Sequence, residues 1–90
     1  MEKAEKEIII GSPQGLHARP AAFFVQLANK FDCDIIVRKG HDVVNGKSIM
    51  GILMLAAERG SKVTVCAEGE DAGKAVEELT QFLTNNTGSE

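Results

Sequence analysis

From its N-terminus onward the chain switches between two-residue and three-to-four-residue spacings of apolar side chains. The first β-branched run, Glu7 to Ile10, predicts a strand, and Gly11-Ser12-Pro13-Gln14-Gly15 ends it because glycine and proline punctuate a ladder. From Ala18 to about Asn29 the period lengthens: Ala21, Phe24, Leu27, Ala28 and then Phe31 fall on one side, with Arg19, Gln26 and Lys30 on the other. Pro20 suits the first turn of this helix, where its missing N–H has no helical partner to lose. Two extended runs follow, Cys33 to Lys39 and Asp42 to Val44, about a Gly40-His41 turn, the pattern of a β-hairpin; Asn45-Gly46 breaks the second. Ser48 to Ala57 (SIMGILMLAA) reads as a short helix with Ser48 near its N-cap, although Gly51 weakens it and leaves no capping-box acid. Val63, Val65 and Ala67 then alternate along Lys62 to Glu68 as a half-buried strand requires. After Gly69-Glu70-Asp71, with Asp71 expected to cap it, a last helix runs from about Ala72 to Leu83. Its Ala72, Val76, Leu79, Phe82 and Leu83 face inward, with Lys74, Glu77, Glu78 and Gln81 outward, and the tail NNTGSE is expected to fray.

The order β-α-β-β-α-β-α, with every helix apolar on at least one side and a sheet that tolerates water on its other face, argues for an α+β two-layer sandwich. Ninety residues close one hydrophobic core and cannot divide their apolar side chains between two, so residues 1–90 read as one domain with an ordered core over about 5–84. With 43% hydrophobic and 26% charged residues the composition is that of a folded chain rather than a disordered one, and four phenylalanines carry all the aromatic bulk.

Charge narrows the partners. A net charge of -3, with no basic stripe interleaved with aromatics, gives no reason to approach nucleic acid. The opening MEKAEKE lacks the apolar stretch of a secretory signal, and no later apolar run approaches a membrane span, so no membrane insertion and a cytoplasmic location are expected. Cys33 and Cys66 lack the spacing of a zinc site or a redox dithiol and are expected to be reduced structural thiols, with no metal site.

The chemistry concentrates at His17, between a glycine-rich loop and a helix start. An imidazole ordinarily titrates near neutrality and so can supply a nucleophilic neutral base. The free backbone N–H groups of the first turn, at Ala18 and Arg19, point outward with the positive end of the helix dipole and can hold an arriving phosphoryl group. Arg19 adds a charge-assisted donor, Gly15 permits close backbone approach, and Pro20 fixes where the helix begins. No Asp, Glu or Lys lies in the loop to act as an acid/base partner or to activate water, so the site can accept phosphate without hydrolysing it. The plainer alternative makes His17 a solvated loop residue and Arg19 a surface charge.

Gly15-Leu16-His17-Ala18-Arg19-Pro20-Ala21 resembles the active-site signature of the histidine-containing phosphocarrier (HPr) family of the sugar phosphotransferase system. Asn45-Gly46-Lys47-Ser48-Ile49-Met50-Gly51 resembles that family's regulatory-serine region, and Ala67-Glu68-Gly69-Glu70-Asp71-Ala72 the turn before its last helix. The resemblance implies an open-faced β-sandwich with a four-stranded antiparallel sheet and three helices on one side. It implies a carrier rather than an enzyme, needing no cofactor, in which His17 takes phosphate from Enzyme I through ring nitrogen Nδ1 and passes it to IIA-type acceptors. Arg19 is then the phosphate-stabilising residue. Ser48 becomes a target of an HPr kinase/phosphorylase, in addition to its capping role, and would bring negative charge to a helix N-terminus.

The short helix cannot bury Ile49, Met50, Ile52, Leu53, Met54 and Leu55 all at once beside a one-sided sheet, so some of them are expected to form a docking surface; tight packing under the last helix is the alternative. By resemblance Ala22, Phe23 and Gln26 on the first helix join Met50 and Leu53 in it. Phe23 and Gln26 depart from the polar and basic groups frequent in relatives. His41 reads as a solvated turn residue, Lys47 as a flank of the serine, and a monomer is expected because a relay presents one face to successive partners. Two other functions compete: a regulatory carrier of a nitrogen-related branch, which GKSIMGILMLAA resembles, and an acylphosphatase, whose phosphate loop Gln14-Gly15-Leu16-His17-Ala18-Arg19 resembles without that family's later asparagine-bearing segment.

Overall fold

The computed structural model of the chain describes residues 2–11, 15–16, 18–55 and 57–85. Its elements follow the expected order: β1 (Lys3–Ile9), α1 (Ala18–Ala28), β2 (Asp34–Lys39), β3 (Asp42–Asn45), α2 (Ile49–Met54), β4 (Lys62–Glu68) and α3 (Ala72–Asn85). The strands form one antiparallel sheet in the order β1-β4-β2-β3. Strand alternation sorts its two faces. Ile8, Ile35, Val37, Val63, Val65 and Ala67 are buried, while Lys3, Glu5, Glu7, Asp34, Lys62 and Glu68 are exposed on the open face. On the covered face α3 lies against β1 and β4, and α1 packs beside both α2 and α3. The result is an open-faced α+β sandwich of four strands and three helices.

The core is built where the helical period pointed. Ala21, Phe24 and Ala28 of α1, Ile52 of α2 and Leu79 of α3 are fully buried. Thr80 is buried with them, and its hydroxyl donates to the Val76 carbonyl at 2.7 Å, which removes the cost of an unpaired polar group.

Several boundaries differ from the pattern, β3 running one residue further to Asn45. β1 begins at Lys3 rather than Glu7 and ends at Ile9, because pairing with β4 runs from Lys3 opposite Glu68 to Ile9 opposite Lys62. Charges on the solvated face of an edge strand hide that extension from an apolar pattern, and context outweighs the weak β-propensity of Lys, Glu and Ala. The middle helix is shorter than Ser48 to Ala57: Leu55 is its C-cap, with its N–H reaching the Gly51 carbonyl. The last helix continues past Leu83 to Asn85, held where the Gly11 N–H donates to the Leu83 carbonyl. The rest of the tail, 86–90, lies outside the described residues.

Asp71 stands at the N-cap position of α3, where its carbonyl accepts from the Ala75 N–H at 2.9 Å, but its side chain does more than cap. Its carboxylate accepts from the backbone N–H groups of Asp32 (3.0 Å) and Cys33 (3.1 Å), tying the α3 approach to the turn before β2, which itself starts at Asp34 rather than Cys33. The Cys33 thiol and these amides hold the Asp71 carboxyl below its ordinary value against an opposing contribution from burial. Burial first, then the neighbouring Asp71, pushes the Cys33 thiol up to about 11, and burial also raises the half-buried Cys66 thiol. Both thiols are free. A depressed carboxyl contributes stability that is complete above the unfolded-state pKa and is lost as pH falls through the lower folded-state value. Asp71→Asn is therefore expected to be less stable than wild type at neutral pH, with the gap closing below about pH 4. Urea midpoints measured across that range check it; a gap that stays constant with pH contradicts the assignment.

Candidate functional site

Ala18 and Arg19, the first two residues of α1, are exposed, and Pro20 behind them is buried. No acid occupies the first turn, so nothing there competes with an incoming anion for the free N–H groups. His17 and residues 12–14 lie outside the described residues. The chain on either side of His17 is placed, and it is held from an unexpected quarter. The Leu16 N–H donates to the Ala57 carbonyl at 2.8 Å, and Leu16 itself is buried. Gly15 adopts φ +72°, and a Cβ there would stand 2.5 Å from the Ala57 oxygen and 2.8 Å from the Glu58 Cα, so only glycine fits.

Ser48 is the N-cap of α2. Its backbone is extended (φ -112°, ψ 118°) and its Oγ accepts from the Gly51 N–H at 3.1 Å. Gly51 answers the doubt its sequence raised, since a Cβ there would crowd the Val44 Cβ at 3.2 Å and the Asn45 oxygen at 3.3 Å where α2 rests on β3. Lys47 does more than flank the serine: its ammonium donates to the Phe31 carbonyl at 2.6 Å, fastening the Ser48 segment to the turn after α1. Ser48→Ala removes one cap hydrogen bond and is expected to cost about 1 kcal/mol in urea unfolding; no loss would place the capping elsewhere.

The docking expectation divides. α2 packs chiefly on α1 and β3, with Ile52 and Leu55 turned inward. Met50 and Met54 are 63% and 76% exposed and Ile49 is exposed beside them, so the alternative of tight packing under the last helix does not hold for them. Phe23 is 52% exposed on the neighbouring α1, where Gln26 is exposed and Ala22 half-buried. Leu53 is half-buried against the core and offers only an edge. The Ala57 contact, Lys47 and Asp71 escaped the sequence reading, because each acts on a partner remote in the chain. His41 is exposed in the β2–β3 turn, as expected. Among the described residues no cluster of His, Cys, Asp or Glu could hold a metal ion, and no helix is long and apolar enough to cross a membrane.

A family model described as the phosphorylation site of the HPr component of the phosphotransferase system matches residues 4–85. The HPr-like protein Crh of Bacillus subtilis is 43% identical over 79 residues, covering 88% of this chain and 93% of that protein. Its crystal structure, described as a catabolite-repression protein in a domain-swapped dimer, superposes with a TM-score of 0.76 over 91% of this chain and 94% of that one. The phosphocarrier protein HPr of Buchnera aphidicola is 42% identical over 80 residues, 89% of this chain and 94% of that protein. The crystal structure of a phosphocarrier protein HPr from Bacillus anthracis matches with a TM-score of 0.87 at 46% identity, covering 90% of this chain and 96% of that one.

Proposed function

Because the chain belongs to the HPr family, in which relatives are named phosphocarrier proteins rather than enzymes, we propose that it carries a phosphoryl group on His17. Phosphorylated Enzyme I is the donor and IIA-type proteins are the acceptors. The observation that supports this most is the start of α1: two exposed residues, Ala18 and Arg19, directly after His17, with no acid in the first turn. In the proposed step a ring nitrogen lone pair of neutral His17, Nδ1 by family resemblance, forms a bond to phosphorus. The bond from phosphorus to the donor breaks, and its electron pair leaves with the donor. The N–H groups of the first turn and the Arg19 guanidinium stabilise the charged oxygens without supplying a base that would activate water. Transfer to the next protein is the same step reversed in direction.

Phe23, Met50 and Gln26, with smaller contributions from Ala22 and Leu53, form the docking face in this reading. An HPr kinase/phosphorylase acting on Ser48 would put charge next to that face, and intact mass after incubation with such a kinase tests it. The central experiment incubates the chain with Enzyme I and phosphoenolpyruvate and reads a phosphate adduct that is labile in acid and stable in base. Absence of the adduct sinks the proposal. The acylphosphatase resemblance spans six residues of one loop and gives way to a family match over residues 4–85.

A second reading, a regulatory carrier that moves no sugar, is favoured by the likeness to Crh, a protein described in terms of catabolite repression. It shares the His17 chemistry, so the acceptors that drain phosphate from the labelled chain separate the two. Crh also supplies a counterexample to the expected monomer. A relay presenting one face in turn works here as a cytoplasmic monomer, which light scattering at assay concentration checks.

A further inference from the structure

We infer that the turn between α2 and β4, residues 57–61, is the positioning element of the acceptor loop, and that Gly15 is the contact through which it acts. The inference rests on His17 being the phosphoryl acceptor. The loop leaves β1 after Ile10 and returns at Leu16, and both ends hang on this one turn. At the start, the Ile10 N–H donates to the Ser61 carbonyl at 2.9 Å and the Gly60 N–H to the Ile10 carbonyl at 3.0 Å. At the end, the Leu16 N–H donates to the Ala57 carbonyl at 2.8 Å. The turn is braced within itself, since the Ser61 N–H donates to the Glu58 carbonyl at 2.9 Å and the Glu58 N–H to the Ser61 hydroxyl at 3.0 Å.

Ile10 and Leu16 are thus both fixed to one braced element, which sets where the chain enters α1 and so limits the reorganisation the transfer step requires. Gly15 is the point where error would enter. The atoms a methyl group would meet there are backbone atoms of Ala57 and Glu58, which cannot swing aside as a flexible side chain would, and φ +72° already disfavours any other residue. Gly15 and Ser61 are thus positioning residues: neither needs to touch phosphate to govern where His17 meets it.

Two variants separate positioning from folding. Gly15→Ala forces the loop away from the turn, whereas Ser61→Ala deletes one brace without adding bulk and carries the test if the first variant fails to fold. Each is assayed as a substrate of Enzyme I, alongside an NMR titration of the His17 imidazole. For Gly15→Ala, kcat is expected to fall by about 10-fold or more with KM little changed, because the exposed docking helices are untouched. Ser61→Ala is expected to move kcat the same way by less, and in each folded variant the His17 titration midpoint shifts from wild type. Unchanged kcat and unchanged titration in the folded variants overturn the inference, as does an effect confined to KM or to melting temperature. The titration needs no donor, so it tests the positioning even if wild type proves not to be labelled, a result that would count against the proposed function alone.

Discussion

His17→Ala is expected to take up no phosphoryl group from phosphorylated Enzyme I under conditions that label wild type fully, and to unfold in urea at the wild-type midpoint. The first half follows from the supply of nucleophiles. Of the chain's two histidines, the other is His41, in the turn between β2 and β3, on the far side of β4 from β1. With His17 replaced, the acceptor loop has no imidazole, and Ser12, its one hydroxyl, is left with no base in the loop to activate it. The second half follows from position. In the sequence residue 17 lies outside the apolar period of α1 that supplies its core side chains, and substitutions outside such features change stability by no more than about 0.5 kcal/mol. The measurement is intact mass before and after incubation with Enzyme I and phosphoenolpyruvate, beside a urea titration of the unlabelled protein. Full labelling of the variant would move the acceptor to another residue, and an acid-labile adduct on His41 would end the proposal for His17.

How far the sequence reaches depends on how local each interaction is. α1 and β4 are legible because a single period runs through each and one face is buried, and Ser48 is legible because a cap and its recipient Gly51 are three residues apart. The early part of β1 is not legible, since Lys3, Glu5 and Glu7 are strand residues only through pairing with β4 about sixty positions on. The Asp71 carboxylate's role is hidden for the same reason: its partners at Asp32 and Cys33 are 39 and 38 residues away. The site divides along the same line. Gly15 to Ala21 announces an anion site in one contiguous run, while the turn that holds it is invisible until Leu16 is seen against Ala57. Nor can periodicity choose the exposed side of a six-residue helix that is apolar nearly all round; packing on α1 decides that Met50 faces out and Ile52 faces in.

Phe24 is the largest of the fully buried side chains, and Phe24→Ala is expected to destabilise the protein by about 3–5 kcal/mol. The chain has four phenylalanines and no tryptophan or tyrosine. Phe23 is half exposed, Phe82 partly buried and Phe31 nearly buried, so Phe24, at 0% exposure, is the one ring wholly inside. Its buried neighbours on α1, one turn to either side, are Pro20, Ala21 and Ala28, whose ring-locked or single-methyl side chains cannot swing in to fill the space that a lost ring leaves. The expected loss thus combines transfer of the ring to water with a residual cavity, and it is large against the roughly 5–15 kcal/mol that holds a domain of this kind together. α1 also supplies Arg19 and the free N–H groups, so a loosened helix degrades the site as well as the core. In urea the midpoint should fall with the m-value unchanged, whereas Phe23→Ala, next in the chain but half in solvent, should move it by no more than about 0.5 kcal/mol. A loss below about 1 kcal/mol for Phe24→Ala would mean that α1 repacks around the missing ring. In that case the helix start, and the Arg19 it carries, is not held in place by the core.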